Sequence, residues 1–179
     1  MNLILFGFKY CGKTTLGKAT AEKLGRPFID TDRLIEERYA RETKQHSTFR
    51  EIYRALGKEG FRSLESAVLQ ELIGVQDSII ALGGGLILEP ANAAFLAKLG
   101  TLVYLKGSKE TLKERTLSRE LPAYLDPRDP EGSFEQLYKE RHPKYEEILA
   151  ISLDLESKTQ DQIVQEICLL IEQLEASHG

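Results

Sequence analysis

The sequence predicts an α/β fold: three α/β/α layers around a five-stranded parallel sheet. Three observations carry that reading. Short runs rich in Ile, Leu, Val or Phe recur near residues 2–6, 27–30, 78–82, 101–105 and 150–155, as buried parallel strands require. Helix-forming segments alternate with them, which puts helices on both faces of one sheet. Between the first strand and first helix stands Gly7-Phe8-Lys9-Tyr10-Cys11-Gly12-Lys13-Thr14-Thr15, a G-x-x-x-x-G-K-T loop in the strand-to-helix context its chemistry needs.

The helices follow in order. Residues 14–24 end at Gly25, a natural C-cap, and Pro27 stops any continuation. Residues 32–41 are polar and surface-lying. Residues 48–56 and 61–73 form a helical pair hinged at Gly57 and Gly60. Residues 90–99 open on Pro90 and close before Gly100. Residues 108–117 start with Ser108 as N-cap. Residues 133–149 follow a loop rich in Pro, Gly and Asp. Residues 161–176 carry Ile163, Ile167, Leu170, Ile171 and Leu174 at helical spacing, an amphipathic helix docked on the rest. The loop 119–133 holds Pro122, Pro127, Pro130 and Gly132, and its length fits a lid that excludes water from the phosphates.

Size and charge narrow the function. The chain has 179 residues, which fits a single domain, and 41% hydrophobic content, enough for a core. A net charge of -4 argues against a protein that grips nucleic-acid backbone. Cys11 and Cys168 are too few for a disulfide framework and wrongly spaced for zinc, and His46, His142 and His178 form no cluster. No stretch is long and apolar enough for a membrane span, and no basic-then-apolar leader opens the chain. The expectation is a soluble, cytoplasmic, monomeric enzyme without nucleic-acid or membrane partners.

The loop names its ligand. Gly7 and Gly12 let the backbone curl its N–H groups around a polyphosphate, and the helix behind points its positive end at the same anion. Lys13 reaches the β and γ phosphates and the Thr14 hydroxyl suits Mg²⁺. Gly7, Tyr10, Cys11, Gly12, Lys13, Thr14 and Thr15 are therefore the expected ATP-binding residues of the loop. Cys11 reads first as a small residue filling a free loop position; the alternative, since a helix N-terminus lowers a thiol's pKa, is a thiol through which reagents inhibit.

Other motifs stand further along. Asp30 and Asp32 are two apart, so on a strand they face the same way at its carboxyl end, where ligands bind in such sheets. Asp30 then sits near Mg²⁺, and Asp32 near an acceptor hydroxyl whose proton it accepts. The alternative is that Asp32 caps the next helix. Arg62 and Glu65 are three apart on a helix, the spacing of a surface ion pair. Gly83-Gly84-Gly85 ends the third strand, either as a flexible turn or because a ligand comes too close for side chains. Arg141, viewed alone, is a solvated residue of a charged helix.

Together these residues resemble the shikimate kinases. The matches are Gly7 to Thr14, F-I-D-T-D at 28–32 followed by Ile35-Glu36, F-R-x-x-E at 61–65, the glycine run at 83–85 and E-R-x-P-x-Y at 140–145. They occur in the family's order and cover nearly the whole chain. The resemblance implies a nucleoside monophosphate kinase-like P-loop fold with strand order 2-3-1-4-5, an acceptor-binding region at about 32–65 and a lid at about 115–133. It implies phosphate transfer from ATP to the 3-hydroxyl of shikimate, with Mg²⁺ held through Thr14 and Asp30. Asp32 would hold the acceptor and serve as base. Arg62 and Arg141 would grip its carboxylate, which their guanidinium forks match. Gly83, Gly84 and Gly85 would line its ring, and Arg115 would stack on adenine.

Two departures stand out. The family's lid carries Arg-Pro, with the arginine on the γ-phosphate; here it reads Leu121-Pro122. Arg119, two residues upstream, is the expected substitute, and Arg128 the other candidate. Ala81 stands where relatives often have Ser or Thr, leaving metal binding to Thr14 and Asp30. Rival readings are another P-loop kinase, for gluconate or a nucleotide, and a nucleotide-dependent switch. The F-R-x-x-E and E-R-x-P-x-Y motifs suit a small carboxylated polyol, and no guanine-reading N-K-x-D is present.

Overall fold

The structure, a computed structural model, describes residues 1–177; His178 lies outside them. Five strands, β1 (Leu3–Phe6), β2 (Phe28–Asp30), β3 (Ile79–Ala81), β4 (Thr101–Lys106) and β5 (Ile151–Asp154), form one parallel sheet in the order β2-β3-β1-β4-β5. The helices are α1 (Lys13–Leu24), α2 (Thr31–Thr43), α3 (Phe49–Gln70), α4 (Pro90–Leu99), α5 (Lys109–Leu117), α6 (Pro130–Glu147) and α7 (Gln160–Ala176). A short 3-10 turn, Leu86–Leu88, follows the glycine run.

β1 is the centre of the core. All four of its side chains are fully buried, each gaining roughly 1.5–3 kcal/mol from burial. Successive strand residues point to opposite faces. Leu5 faces α1, because a Cβ on Gly17 would lie 3.3 Å from it. Phe6 faces the other way, stacked on Tyr104 with ring centres 5.2 Å apart and tilted against Tyr145 of α6 at 6.0 Å. Helices thus cover both faces, and α7 packs on the back of α1. A second, smaller core joins Ile35 of α2 to Ile52, Phe61, Leu64 and Val68 of α3.

Several boundaries differ from expectation, each for a local reason. α3 is one element broken at Gly57, whose φ of 66° and ψ of -178° are not helical, whereas Gly60 stays in the helix. Its second half stops at Gln70, before a turn in which Ile73 is exposed and Gly74 has φ 84°. α6 begins at Pro130 rather than Ser133: Asp129 accepts the Gly132 N–H at 2.9 Å and Pro130 brings a φ suited to the first turn.

Candidate active site

The site opens at the carboxyl ends of β1, β2 and β3, where α1 and α2 begin. Gly7 (φ 146°) and Gly12 (φ 109°) take backbone conformations closed to most side chains, which curls the loop. Lys13 is buried at its centre, donating to the carbonyls of Gly7 at 3.0 Å and Phe8 at 2.7 Å. One residue on, the Thr14 hydroxyl donates to Asp30 Oδ2 at 2.7 Å. The two residues assigned to a metal are therefore neighbours.

The aspartate pair arises differently from the strand alternation expected of it. β2 ends at Asp30, which caps α2: its Oδ1 accepts the Asp32 N–H at 3.0 Å. Asp32 belongs to the first helical turn, so the cap is Asp30 and Asp32 is left free to act. Among the described residues, Asp32 Oδ1 is buried without a hydrogen-bond partner. Burial, then the neighbouring Asp30 charge, pushes its carboxyl up to about 6, against the pull of Lys9 and Lys13. A buried acceptor atom left unpaired costs stability, which marks it for a ligand.

The glycine run is crowded from within the protein. A Cβ on Gly83 would run into Asp32 Oδ1, and one on Gly85 would lie 2.6 Å from an Arg62 guanidinium nitrogen. The side chains that crowd these glycines are the protein's own. Gly83 is buried and does not line the cleft, while Gly84 and Gly85 do.

Arg62 pairs with Glu65, which is 2% exposed, so this is no surface ion pair. Burial outweighs the Arg62 attraction and holds the Glu65 carboxyl up at about 7. Arg141 is likewise not a solvated residue. Its guanidinium stacks 4.9 Å from the Tyr124 ring and would come 3.8 Å from a Cβ on Gly84. Tyr145, four residues along α6, donates to the Gly84 carbonyl. Two guanidinium groups thus lie against consecutive glycines. They share with Asp32, Lys13 and Thr14 a cleft of about 550 Å³.

The loop between α5 and α6 reaches the cleft from above. Tyr10 donates to the Glu120 carbonyl at 2.5 Å, and Arg50 of α3 donates to Glu120 and to the Leu121 carbonyl. The Arg119 guanidinium lies 5.4 Å from the Tyr10 ring centre and lines the cleft.

The family profile described as shikimate kinase matches residues 10–172. The chain belongs to the shikimate kinase family. A shikimate kinase of Thioalkalivibrio sulfidiphilus is 37% identical over 166 residues, covering 93% of this chain and 84% of its own. That of Symbiobacterium thermophilum is 35% identical over 170 residues, covering 93% and 94%. Among solved structures, shikimate kinase from Acinetobacter baumannii in complex with shikimate superposes with a TM-score of 0.83 at 34% identity, over 96% of this chain and 93% of that one. A gluconokinase from Sinorhizobium meliloti, at TM-score 0.61 and 18% identity over 97% and 92%, shares the fold alone.

Not every expected residue faces the cleft of this shikimate kinase family member. Gly7 and Cys11 shape the loop from behind. Cys11 is 1% exposed and turned into the core, so the alternative of inhibition by thiol reagents has no accessible sulfur behind it. Arg115 is exposed near the end of α5 and does not line the cleft, nor does Arg128, exposed before α6. Tyr10, Gly12, Thr15 and Arg119 do line it. Lys9, Glu65 and Tyr124 line it as well, though sequence reasoning gave them no role there, and Arg50, equally unassigned, ties α3 to the loop above. Lys9 could have been found from its place inside the loop. Burial of Glu65 and the approach of Tyr124 to α6 depend on distant packing and leave no spacing signal.

Proposed function

We propose that the protein transfers the γ-phosphoryl group of ATP to the 3-hydroxyl of shikimate, giving shikimate 3-phosphate and ADP. The observation that carries this reading is the meeting of a phosphate loop, a buried carboxylate and two guanidinium groups in one cleft. Loop N–H groups and Lys13 bind the polyphosphate. Arg62 and Arg141 take the acceptor's carboxylate through charge-assisted hydrogen bonds. Asp32, ionised at neutral pH and still basic enough to take a proton, orients the hydroxyl and receives its hydrogen as it attacks. Arg119 is the arginine for the γ-phosphoryl oxygens.

The hard oxygen donors of Thr14 and Asp30, 2.7 Å apart, fit a magnesium ion that takes its remaining ligands from phosphate and water. When bound, that ion neutralises charge on the β and γ oxygens. Ala81 pairs with Asp30 across the sheet and offers no hydroxyl, so Thr14 and Asp30 carry the protein's share. In this reading the chain is one kinase domain. Residues 32–65 are its acceptor arm and 115–133 its lid.

The test is direct. The protein is incubated with ATP, Mg²⁺ and shikimate, and ADP release is followed, with gluconate as the parallel acceptor. Turnover with shikimate alone is expected. Turnover with gluconate and none with shikimate would overturn the assignment.

A further inference from the structure

Lys9 has no part in the reading above. It stands in the phosphate loop between Gly7 and Lys13, and it lines the cleft. Its ammonium lies 5.2 Å from the Phe49 ring centre and 5.5 Å from that of Tyr10. Among the described residues it makes no hydrogen bond or ion pair. The charges that act on it are those of Asp32, Lys13, Arg50 and Glu120. These are the acceptor's base, the phosphate lysine and the latch of the loop above. Burial lowers its affinity for a proton and Asp32 opposes that effect. Two aromatic walls hold a cation in place by attraction to the ring faces, while leaving its hydrogens free to donate.

We propose that Lys9 is a further catalytic residue, whose ammonium takes an oxygen of the phosphoryl group in flight between Lys13 and the hydroxyl held by Asp32. The inference rests on the phosphoryl transfer proposed above. In that step the bond from the γ-phosphorus to the β–γ bridging oxygen breaks, and its electron pair leaves with ADP. The acceptor oxygen bonds to phosphorus, and its proton goes to Asp32. Lys9 gains and loses no proton. It stabilises the charge spread over the three equatorial oxygens while the group is only loosely bonded to the attacking and leaving oxygens. A lysine suits this place because a compact ammonium on a flexible stem can follow a moving oxygen.

The test is Lys9→Met, which removes the charge and keeps an unbranched stem against Phe49 and Tyr10. Turnover number, shikimate dissociation constant and the separate dissociation constants of ADP and ATP are measured, with thermal melting as the folding control. A fall in kcat of about 10²–10³ is expected, the scale of losing one preorganised charged donor. ATP binding should weaken about tenfold, with ADP and shikimate affinities within twofold of the parent. A fall in kcat of less than tenfold would overturn the proposal. So would equal losses for ADP and ATP, which mark a structural role in the loop, or a loss confined to shikimate. If Lys9→Met does not fold, Lys9→Gln takes the same measurements. The ATP–ADP comparison needs no acceptor, so it stays readable even if shikimate proves to be the wrong substrate.

Discussion

Arg62 lies so close to Gly85 that a Cβ there would sit 2.6 Å from a guanidinium nitrogen. The atom that would have to give way is the far end of a flexible side chain. Gly85→Ala should therefore cost little stability and displace Arg62 instead. The expected result is a KM for shikimate raised about tenfold, the loss of roughly one charge-assisted hydrogen bond, with a melting temperature within about 2 °C of the parent. A large drop in melting temperature with unchanged KM would show that the glycine serves the fold alone.

Acid should remove activity through Asp32. A base that titrates near 6 must be ionised to accept the hydroxyl proton, so kcat/KM should fall as pH drops through about 6. Stability runs the other way. The folded carboxyl holds its proton more tightly than the ordinary value of 3.8 allows, so the contribution of Asp32 to stability is fully present in acid and is lost as pH rises from about 4 through 6. Asp32→Asn, which mimics the protonated group, should abolish turnover yet raise stability at pH 8 by on the order of 3 kcal/mol. The gain should vanish near pH 4. Melting curves at both pH values check the sign, and a variant less stable than the parent at pH 8 would contradict it.

The aspartates also show how much the sequence can disclose. Five apolar segments, their strand order by resemblance, and the glycine-lysine loop were all legible, because periodicity and backbone demand leave marks in neighbouring residues. That Asp30 and Asp32 belong together was legible too, although helix capping rather than strand alternation brings them there. The true partners of the glycines were not. Asp32 and Gly83 are 51 positions apart, and only the pairing of β2 with β3 puts one against the other. For the same reason Arg141 reads as a solvated residue until Tyr124 is seen beneath it.

Thr14 donates to Asp30, and both are assigned to magnesium. Thr14→Val keeps the shape and removes one oxygen ligand. The Mg²⁺ concentration for half-maximal rate should rise about tenfold, while nucleotide binding measured without metal stays unchanged. Chelation by EDTA should stop the parent enzyme. Identical magnesium curves for parent and variant would take Thr14 out of the metal's coordination.

Arg119 and Arg128 can be separated by kinetics. Arg119 lines the cleft and Arg128 does not. Arg119→Ala should lower kcat by about 10²–10³ with little change in ATP affinity, because its contact forms on the transferring group. Arg128→Ala should match the parent within twofold. The reverse pattern would hand the role to Arg128.

The separate core formed by Ile35, Ile52, Phe61, Leu64 and Val68 bears on how product leaves. α3 also buries Leu69 in the main core, so its second half stays fixed to the sheet, and the break at Gly57 leaves only the first half, with Ile52 and Arg50, to swing. Opening the cleft by this route calls for a bend at Gly57 and the parting of Arg50 from Glu120, with both halves of the helix kept intact.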